Sequence, residues 1–346
     1  MNTQFAQRIA NINEALAQTI IDGTADGFFP HLNPKLPQGK ESAGVPLLVS
    51  PCRDLISGGG KRWRPLMMVL AYELAGGTSD SIYQLAPLIE GIHTASLIHD
   101  DIEDQSALRR GKPAAHVQYG LDTALNAGSW LYFKALSCID RYAADEALRL
   151  DVYNASVHTL CALHEGQALD IHWHRNPAYF PTRLEYERMI GLKTGALAAL
   201  AGYIGMRAAH KTHEKALSFA SITALTGVGF QIADDVKNIT AGNKGKKRGD
   251  DIVEGKKSLP VLIHVEKHPA DAALLSTYFA QAKQEGVESP AVEAAIQRMD
   301  ESGAVAEAAA QGRKVITDAL ERLDAEYAGH PAALLLRDLV MLMQKE

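Results

Sequence analysis

The chain has 346 residues, 47% of them apolar and only 6% aromatic, which suits a large core of closely packed helices. Its formal charge of −6 argues against a general nucleic-acid surface. The three cysteines, Cys52, Cys138 and Cys161, have no metal-ligand spacing and read as small core residues in a reducing compartment. The Met1 end has no basic-then-apolar signal pattern. The longest clean apolar stretch, around residues 196–204, is too short to span a bilayer. A soluble, cytoplasmic protein with no transmembrane segment is therefore expected.

Helical periodicity runs through nearly the whole chain, and no convincing alternating strand is found. Residues 5–22 predict an amphipathic opening helix, and the Gly/Pro-rich stretch 26–44 a long loop. Ser57-Gly58-Gly59-Gly60 ends the next helix, and Pro65 sits where a new one can start. Helical patterns follow over 66–75, 81–105, 117–143, 148–172, 183–208 and 213–239. Shorter helices fill 257–345, broken near Pro269, Pro290, Gly303 and Pro331. The fold class is all-α, read as a single domain over 1–346: an N-terminal helix and loop (1–44), a core (45–265) and C-terminal helices (266–346).

Two acidic clusters of one shape stand far apart: Asp100-Asp101-Ile102-Glu103-Asp104 and Asp234-Asp235-Val236-Lys237-Asn238. On a helix, i and i+4 share a face, so Asp100 stacks over Asp104 and Asp234 over Asn238. Carboxylates this close repel by about 1–4 kcal/mol per pair near a surface, and a hard divalent cation removes that repulsion. Oxygen-only ligands with open positions suit Mg²⁺ bound together with substrate phosphates.

Basic elements accompany the acidic ones. Lys61, Arg62 and Arg64 follow the triple glycine, where close backbone approach and cations make an anion site or, more simply, a helix C-cap with solvated charges. Arg109-Arg110-Gly111 lies just past the first acidic cluster, and guanidinium groups bind diphosphate oxygens bidentately. His93, two turns before Asp100, is either a hydrogen-bonded core residue or part of that site. Lys193-Thr194-Gly195 interrupts an apolar helix, as do Gln167 and Asp170, three apart on one face. Lys246, Lys247, Arg248 and Lys256 follow the second cluster and, taken alone, would be a solvated charge run. Together these elements equip an all-helical frame for two diphosphates and Mg²⁺ beside an apolar cavity.

On these residues the sequence resembles the trans-isoprenyl diphosphate synthases. The resemblance is carried by Gly59 to Pro65, Ile92 to Asp101, Asp104, Leu108 to Pro113, Gly166 to Asp170, Lys193 to Gly195, Phe230 to Asp235 and Gly255 to Pro260. These segments lie in the family's order across roughly residues 45–265. The likeness is greatest to the eukaryotic-type geranylgeranyl diphosphate synthases, through Asp100 to Asp104, Leu108 to Gly111, Ala115-His116, Tyr119-Gly120, Leu163 to Gln167, Leu169 to Trp173 and Asn238. It implies an orthogonal helical bundle around a central apolar cavity, the isoprenoid synthase fold. It also implies a homodimer with Mg²⁺, three ions per active site, as cofactor.

The resemblance implies these roles. Asp100 and Asp104 would hold Mg²⁺ on one side of the allylic diphosphate, with Asp234, and more weakly Asn238, holding it on the other. Arg109, Lys193, Lys256 and one of Lys246 or Lys247 would contact that diphosphate. Lys61, Arg64, His93 and Arg110 would bind isopentenyl diphosphate, and Thr194 and Gln231 would lie beside the reacting carbons. The reaction is head-to-tail elongation of a dimethylallyl, geranyl or farnesyl primer. Ala95 and Ser96, one turn below the first cluster, are small and leave a tunnel open beyond fifteen carbons. The matching positions for a deeper floor are Tyr132, Phe133 and His164, which equally suit core or interface packing. A twenty-carbon product is expected. The alternatives are a longer- or shorter-chain synthase and a class I terpene cyclase, which would not need the second diphosphate site of Lys61, Arg64, His93 and Arg110.

Overall fold

The computed structural model describes residues 3–21, 44–142, 144–242 and 247–345. Its helices in chain order are α1 (Ala6–Leu16), α2 (Gly44–Ser57), α3 (Trp63–Leu74), α4 (Ala86–Glu103), α5 (Ala115–Tyr119), α6 (Leu121–Leu136), α7 (Cys138–Arg141), α8 (Glu146–Arg175), α9 (Arg183–Ile190), α10 (Ala196–Ala208), α11 (His213–Thr240), α12 (Asp250–Glu254), α13 (Leu259–Lys267), α14 (Ala272–Glu285), α15 (Pro290–Glu301), α16 (Ala304–Tyr327) and α17 (Pro331–Lys345). The expected all-α class holds. The only strands among the described residues are β1 (Leu108–Arg109) and β2 (Lys112–Pro113), antiparallel with Leu108 opposite Pro113. Two-residue strands are too short to show alternation, so periodicity does not reveal them. The expected 26–44 loop lies outside the described residues, except that Gly44 opens α2.

The chain divides into two compact units, residues 1–66 with 79–149 and residues 67–78 with 150–346. In the first, α4 packs on α6, and α1 packs on α4. Small residues set the spacing of α4 and α6. A Cβ on Gly91 would come 2.8 Å from the Ala135 Cβ, and one on Gly128 would come 2.8 Å from the His99 ring. Around these contacts Leu88, Ile89, Ile92, Ala95, Ile98, Ala124, Ala127 and Leu131 are fully buried. The C-terminal end of α4 closes in a Schellman pattern, with Ser106 N donating to Asp101 O (2.9 Å) and Gln105 N to Ile102 O (3.3 Å). That places Gln105 at φ 56°, and the chain turns at once into the β1–β2 hairpin.

In the second unit, α11 is the central helix, packed on both α10 and α16. Close approach again falls at glycines: a Cβ on Gly202 would meet Thr223 Oγ1 at 2.4 Å, and one on Gly229 would meet Ile316 at 2.5 Å. By length and composition, helical runs 183–208 and 213–240 are apolar enough to cross a membrane. Counting only uninterrupted apolar residues passes over both. In the fold the first is mostly, and the second half, buried against other helices, as core helices are. Cys52 and Cys138 are buried as expected, but Cys161 is exposed on α8.

A polar cluster fastens the end of α13 to the α15–α16 junction. His264, 2% exposed, takes Ser302 Oγ at Nδ1 (2.9 Å) and Asp271 Oδ2 at Nε2 (3.2 Å). Ser302 Oγ also reaches Met299 O at 3.0 Å, so this Ser–His–Asp set ties helix ends together. Burial pushes the His264 pKa below 6.5, against the opposing pull of Asp271. With the folded value depressed, the unfolded chain binds more protons below pH 6.5, so stability falls on acidification. The slope is at most about 1.4 kcal/mol per pH unit. Thermal melts between pH 5 and 7 are expected to show a shallower acid loss for His264→Gln than for the native chain.

Candidate active site

The first acidic cluster and its cations are built within the first unit. Asp100 and Asp101 end α4, and Asp104 caps it, its N–H bonded to Asp100 O at 2.8 Å. The hairpin carries Arg109 back onto this end. Its Nε donates to Asp101 Oδ1 (2.7 Å), its Nη2 donates to the same oxygen, and Nη2 also reaches Asp100 Oδ2 (3.3 Å). Asp101 is 1% exposed, whereas Asp100 is only partly buried. The paired aspartates therefore differ: Asp101 anchors the hairpin, and Asp100 is left partly exposed at the helix end.

Arg110 has φ 54° and turns the other way, donating to Leu55 O (2.9 Å) and Gly59 O. This explains the last of the three glycines. Gly60 has φ 144°, and a Cβ there would meet the Arg110 and Arg62 guanidiniums at 3.0 and 3.1 Å. Arg64 Nη1 contacts His93 Nε2 at 3.3 Å. Burial, then Arg64, Arg110, Arg109 and Arg62, hold the His93 pKa well below 6.5, so its ring is neutral and accepts from Arg64. Lys61 is partly buried beside them in sequence.

Sequence reasoning missed what supports these cations. Arg62 is buried at φ 51°, pairs with Glu90 at 2.6 Å, and donates to Asn13 Oδ1 (3.0 Å) and Ile56 O. The available signal was Glu90, a lone acid in the buried run of α4. Breaking one side of a buried pair strands the other charge. Arg62→Met is thus expected to cost about 3–5 kcal/mol, and Arg62→Met with Glu90→Met to recover most of it, measured by denaturant unfolding.

Of the chain-length candidates, Ala95 is fully buried, and Ser96 Oγ donates to His93 O at 2.8 Å. Tyr132 is buried edge-on to His99, with ring centroids 5.5 Å apart. Phe133 is 73% exposed, and His164 is exposed, its Nδ1 2.8 Å from Leu160 O. Both side chains thus lie on exposed faces of their helices. Neighbouring helix residues lie about 100° apart, so Phe133 and His164 turn out where Tyr132 and Leu163 turn in.

The second acidic cluster is built within the second unit. Residues Gly191–Gly195 form a π-helical turn between α9 and α10, a local widening frequent at functional sites. It carries Lys193 and Thr194. Helix α8 crosses it closely, since a Cβ on Gly166 would lie 2.5 Å from Lys193 N. Lys193 Nζ pairs with Asp170 Oδ2 at 2.6 Å, Thr194 Oγ1 donates to Gln231 Oε1 (3.0 Å), and Gln231 Nε2 donates to Asp235 Oδ1 (3.0 Å).

Asp235 is the hub. Its Oδ2 also accepts from Tyr186 Oη (2.7 Å) and from Leu259 N (3.1 Å). Burial raises its carboxyl pKa against those hydrogen bonds, and the Tyr186 hydroxyl is pushed well above 10 by burial and Asp235. Asp234 beside it is only partly buried. Asn238 is 1% exposed, and its Oδ1 accepts from Asp251 N at 3.3 Å. It holds the turn into α12. Lys256 lies on the following strap with Nζ 2.6 Å from Glu254 Oε2. Lys247 is exposed and paired with Glu288 at 2.6 Å, and Lys246 lies outside the described residues.

Among the described residues, no three His, Cys, Asp or Glu side chains converge on one point. The chain offers carboxylates in ones and twos at helix ends. That fits a hard divalent ion completing its shell with water and substrate phosphate oxygens.

A family model described as polyprenyl synthetase matches residues 45–297. Over 217 residues the chain is 37% identical to a geranylgeranyl diphosphate synthase of Methanosarcina mazei, a match covering 62% of this chain and 66%, just under two thirds, of that protein. Among solved structures, a geranylgeranyl pyrophosphate synthetase from Pyrococcus horikoshii superimposes with a TM-score of 0.82 at 28% identity, covering 99% of this chain and 97% of that one. A polyprenyl synthase from Caulobacter crescentus, complexed with calcium and isoprenyl diphosphate, superimposes with a TM-score of 0.81 at 26% identity over 99% and 96% of the two chains.

Proposed function

The chain belongs to the polyprenyl synthetase family, and on that premise we propose that it joins isopentenyl diphosphate head to tail to an allylic diphosphate, making geranylgeranyl diphosphate. It is a trans-isoprenyl diphosphate synthase. The reading rests above all on the pairing of Asp100 and Asp101 with Arg109, and on the hydrogen-bonded run from Asp235 through Gln231 to Thr194, next in sequence to the Lys193–Asp170 ion pair.

Asp100, Asp104 and Asp234 hold the divalent ions, which we take to be three Mg²⁺. When bound, these supply Lewis acidity toward the leaving diphosphate. Arg109, Lys193, Lys256 and Lys246 spread the charge that grows on that diphosphate as the allylic C–O bond breaks. Lys247, engaged by Glu288 on the surface, is left out of this set. Lys61, Arg64, Arg110 and neutral His93 grip isopentenyl diphosphate and hold its double bond against the allylic cation. Thr194 and Gln231 turn oxygen dipoles toward the reacting carbons. One new carbon–carbon bond forms, and the proton then lost from the isopentenyl unit goes to the departing diphosphate. No protein nucleophile is needed.

The two units together make one isoprenyl diphosphate synthase domain in this reading. The protein acts in the cytoplasm as a homodimer, an assembly that would cover the exposed Leu121, Leu125 and Phe133 of α6. Chelation with excess EDTA is expected to abolish condensation, and Mg²⁺ to restore it, measured by release of inorganic diphosphate. Turnover that survives chelation contradicts the assignment.

A further inference from the structure

Lys256 and Lys257 are consecutive but live in different surroundings. Lys256 keeps 17% of its side chain exposed beside Glu254. Lys257 is 2% exposed. Its Nζ lies 4.5 Å from the Phe180 ring centroid and 4.4 Å from that of Phe279, and donates to Pro177 O at 3.2 Å. An ammonium between two aromatic faces is held by their quadrupoles, and the carbonyl fixes its direction.

We propose that Lys257 is a positioning residue: it clamps the 255–258 strap so that Lys256 is presented to the allylic diphosphate. The inference rests on the reading in which Lys256 grips that diphosphate.

The rest of the strap is tied down on either side of Lys257. Gly255, at φ 81°, lies so close to the end of α8 that a Cβ would come 3.2 Å from His174 O. Lys256 N donates to Asp251 O (2.8 Å), and Leu259 N to Asp235 Oδ2 (3.1 Å). Ser258 caps α13 without a side-chain hydrogen bond, so its hydroxyl does not dock the strap through the helix start. The receiving loop is itself fixed. Thr182 and Glu185 form a capping box at α9, and Tyr179 Oη donates to Glu185 at 2.9 Å.

A plug alone would not need a charge. Methionine fills similar space with no ammonium to desolvate, whereas burial depresses Lys257 to about 8. What the ammonium adds is a directed hydrogen bond to Pro177 and attraction to both rings.

The test is steady-state kinetics on the purified full-length chain and its Lys257→Met, Lys257→Arg and Lys256→Met variants, with thermal melts. Lys257→Met is expected to raise KM for the allylic primer about tenfold, leave KM for isopentenyl diphosphate within about twofold, and keep the native melting temperature. Lys257→Arg is expected to recover most of the loss. If Lys257→Met does not fold, Phe279→Leu, which removes one ring and keeps the lysine, is expected to raise primer KM in the same direction. Native KM values in folded Lys257→Met, or in Phe279→Leu where that variant stands in, overturn the clamp, as does an arginine variant no better than methionine. An inactive native enzyme, or a Lys256→Met enzyme with unchanged primer KM, condemns the underlying functional reading instead.

Discussion

Asp100→Ala is expected to lower kcat for condensation by about 10³-fold or more while leaving the fold intact. Asp100 is partly exposed at the end of α4, and its 3.3 Å contact with Arg109 is the weaker of that arginine's attachments. Removing it deletes the proposed metal ligand and relieves carboxylate crowding. Asp101→Ala is expected to behave differently. Asp101 is buried and takes both Nε and Nη2 of Arg109, so its loss should reduce stability as well as activity. Comparing kcat and melting temperature for the two variants separates the neighbours. Near-native turnover in Asp100→Ala contradicts the metal assignment.

The second large effect concerns product length. Ser96 lies one helical turn before Asp100 and is partly buried, its hydroxyl bonded back to His93 O at 2.8 Å. Ser96→Phe is expected to move the main product from twenty carbons to fifteen. Forcing a growing chain past an aromatic ring costs about 1–3 kcal/mol of overpacking, roughly a 5- to 150-fold change in partitioning between the two lengths. Ala95 is a poorer site for the experiment, because it is fully buried and a ring there would strain the α4–α6 packing. Chromatography of dephosphorylated products reads the outcome, and an unchanged twenty-carbon product removes Ser96 from the wall.

The helices were legible because their boundaries are local. Gly58 to Gly60, Pro65, Gly303 and Pro331 mark breaks that the structure places within a few residues. The acidic and basic motifs were legible as a set, since each is short and the chemistry needs all of them. What was not legible depends on which way a side chain turns. The i+4 rule stacks Asn238 over Asp234 whether Asn238 meets a cation or a loop, and its burial with Oδ1 on Asp251 N is visible only in the fold. Likewise Tyr132 and Phe133 are both bulky and adjacent, yet only Tyr132 lies on the inner face of α6. Asp235 looks like the twin of Asp234. Its role as a hub depends on Tyr186, 49 positions away in sequence, and on Leu259 N. The hairpin at 108–113 escaped because its turn uses Arg110 at φ 54° followed by Gly111 at φ 77°, in a segment too short for any period.

The central claim is head-to-tail condensation to a twenty-carbon diphosphate. It is tested most directly by incubating the purified chain with Mg²⁺, isopentenyl diphosphate and, in turn, dimethylallyl, geranyl or farnesyl diphosphate, and identifying the products. Geranylgeranyl diphosphate from a primer, with one inorganic diphosphate released per bond formed, is the result expected. No consumption of isopentenyl diphosphate with any primer, or a hydrocarbon formed from geranylgeranyl diphosphate alone, would contradict it.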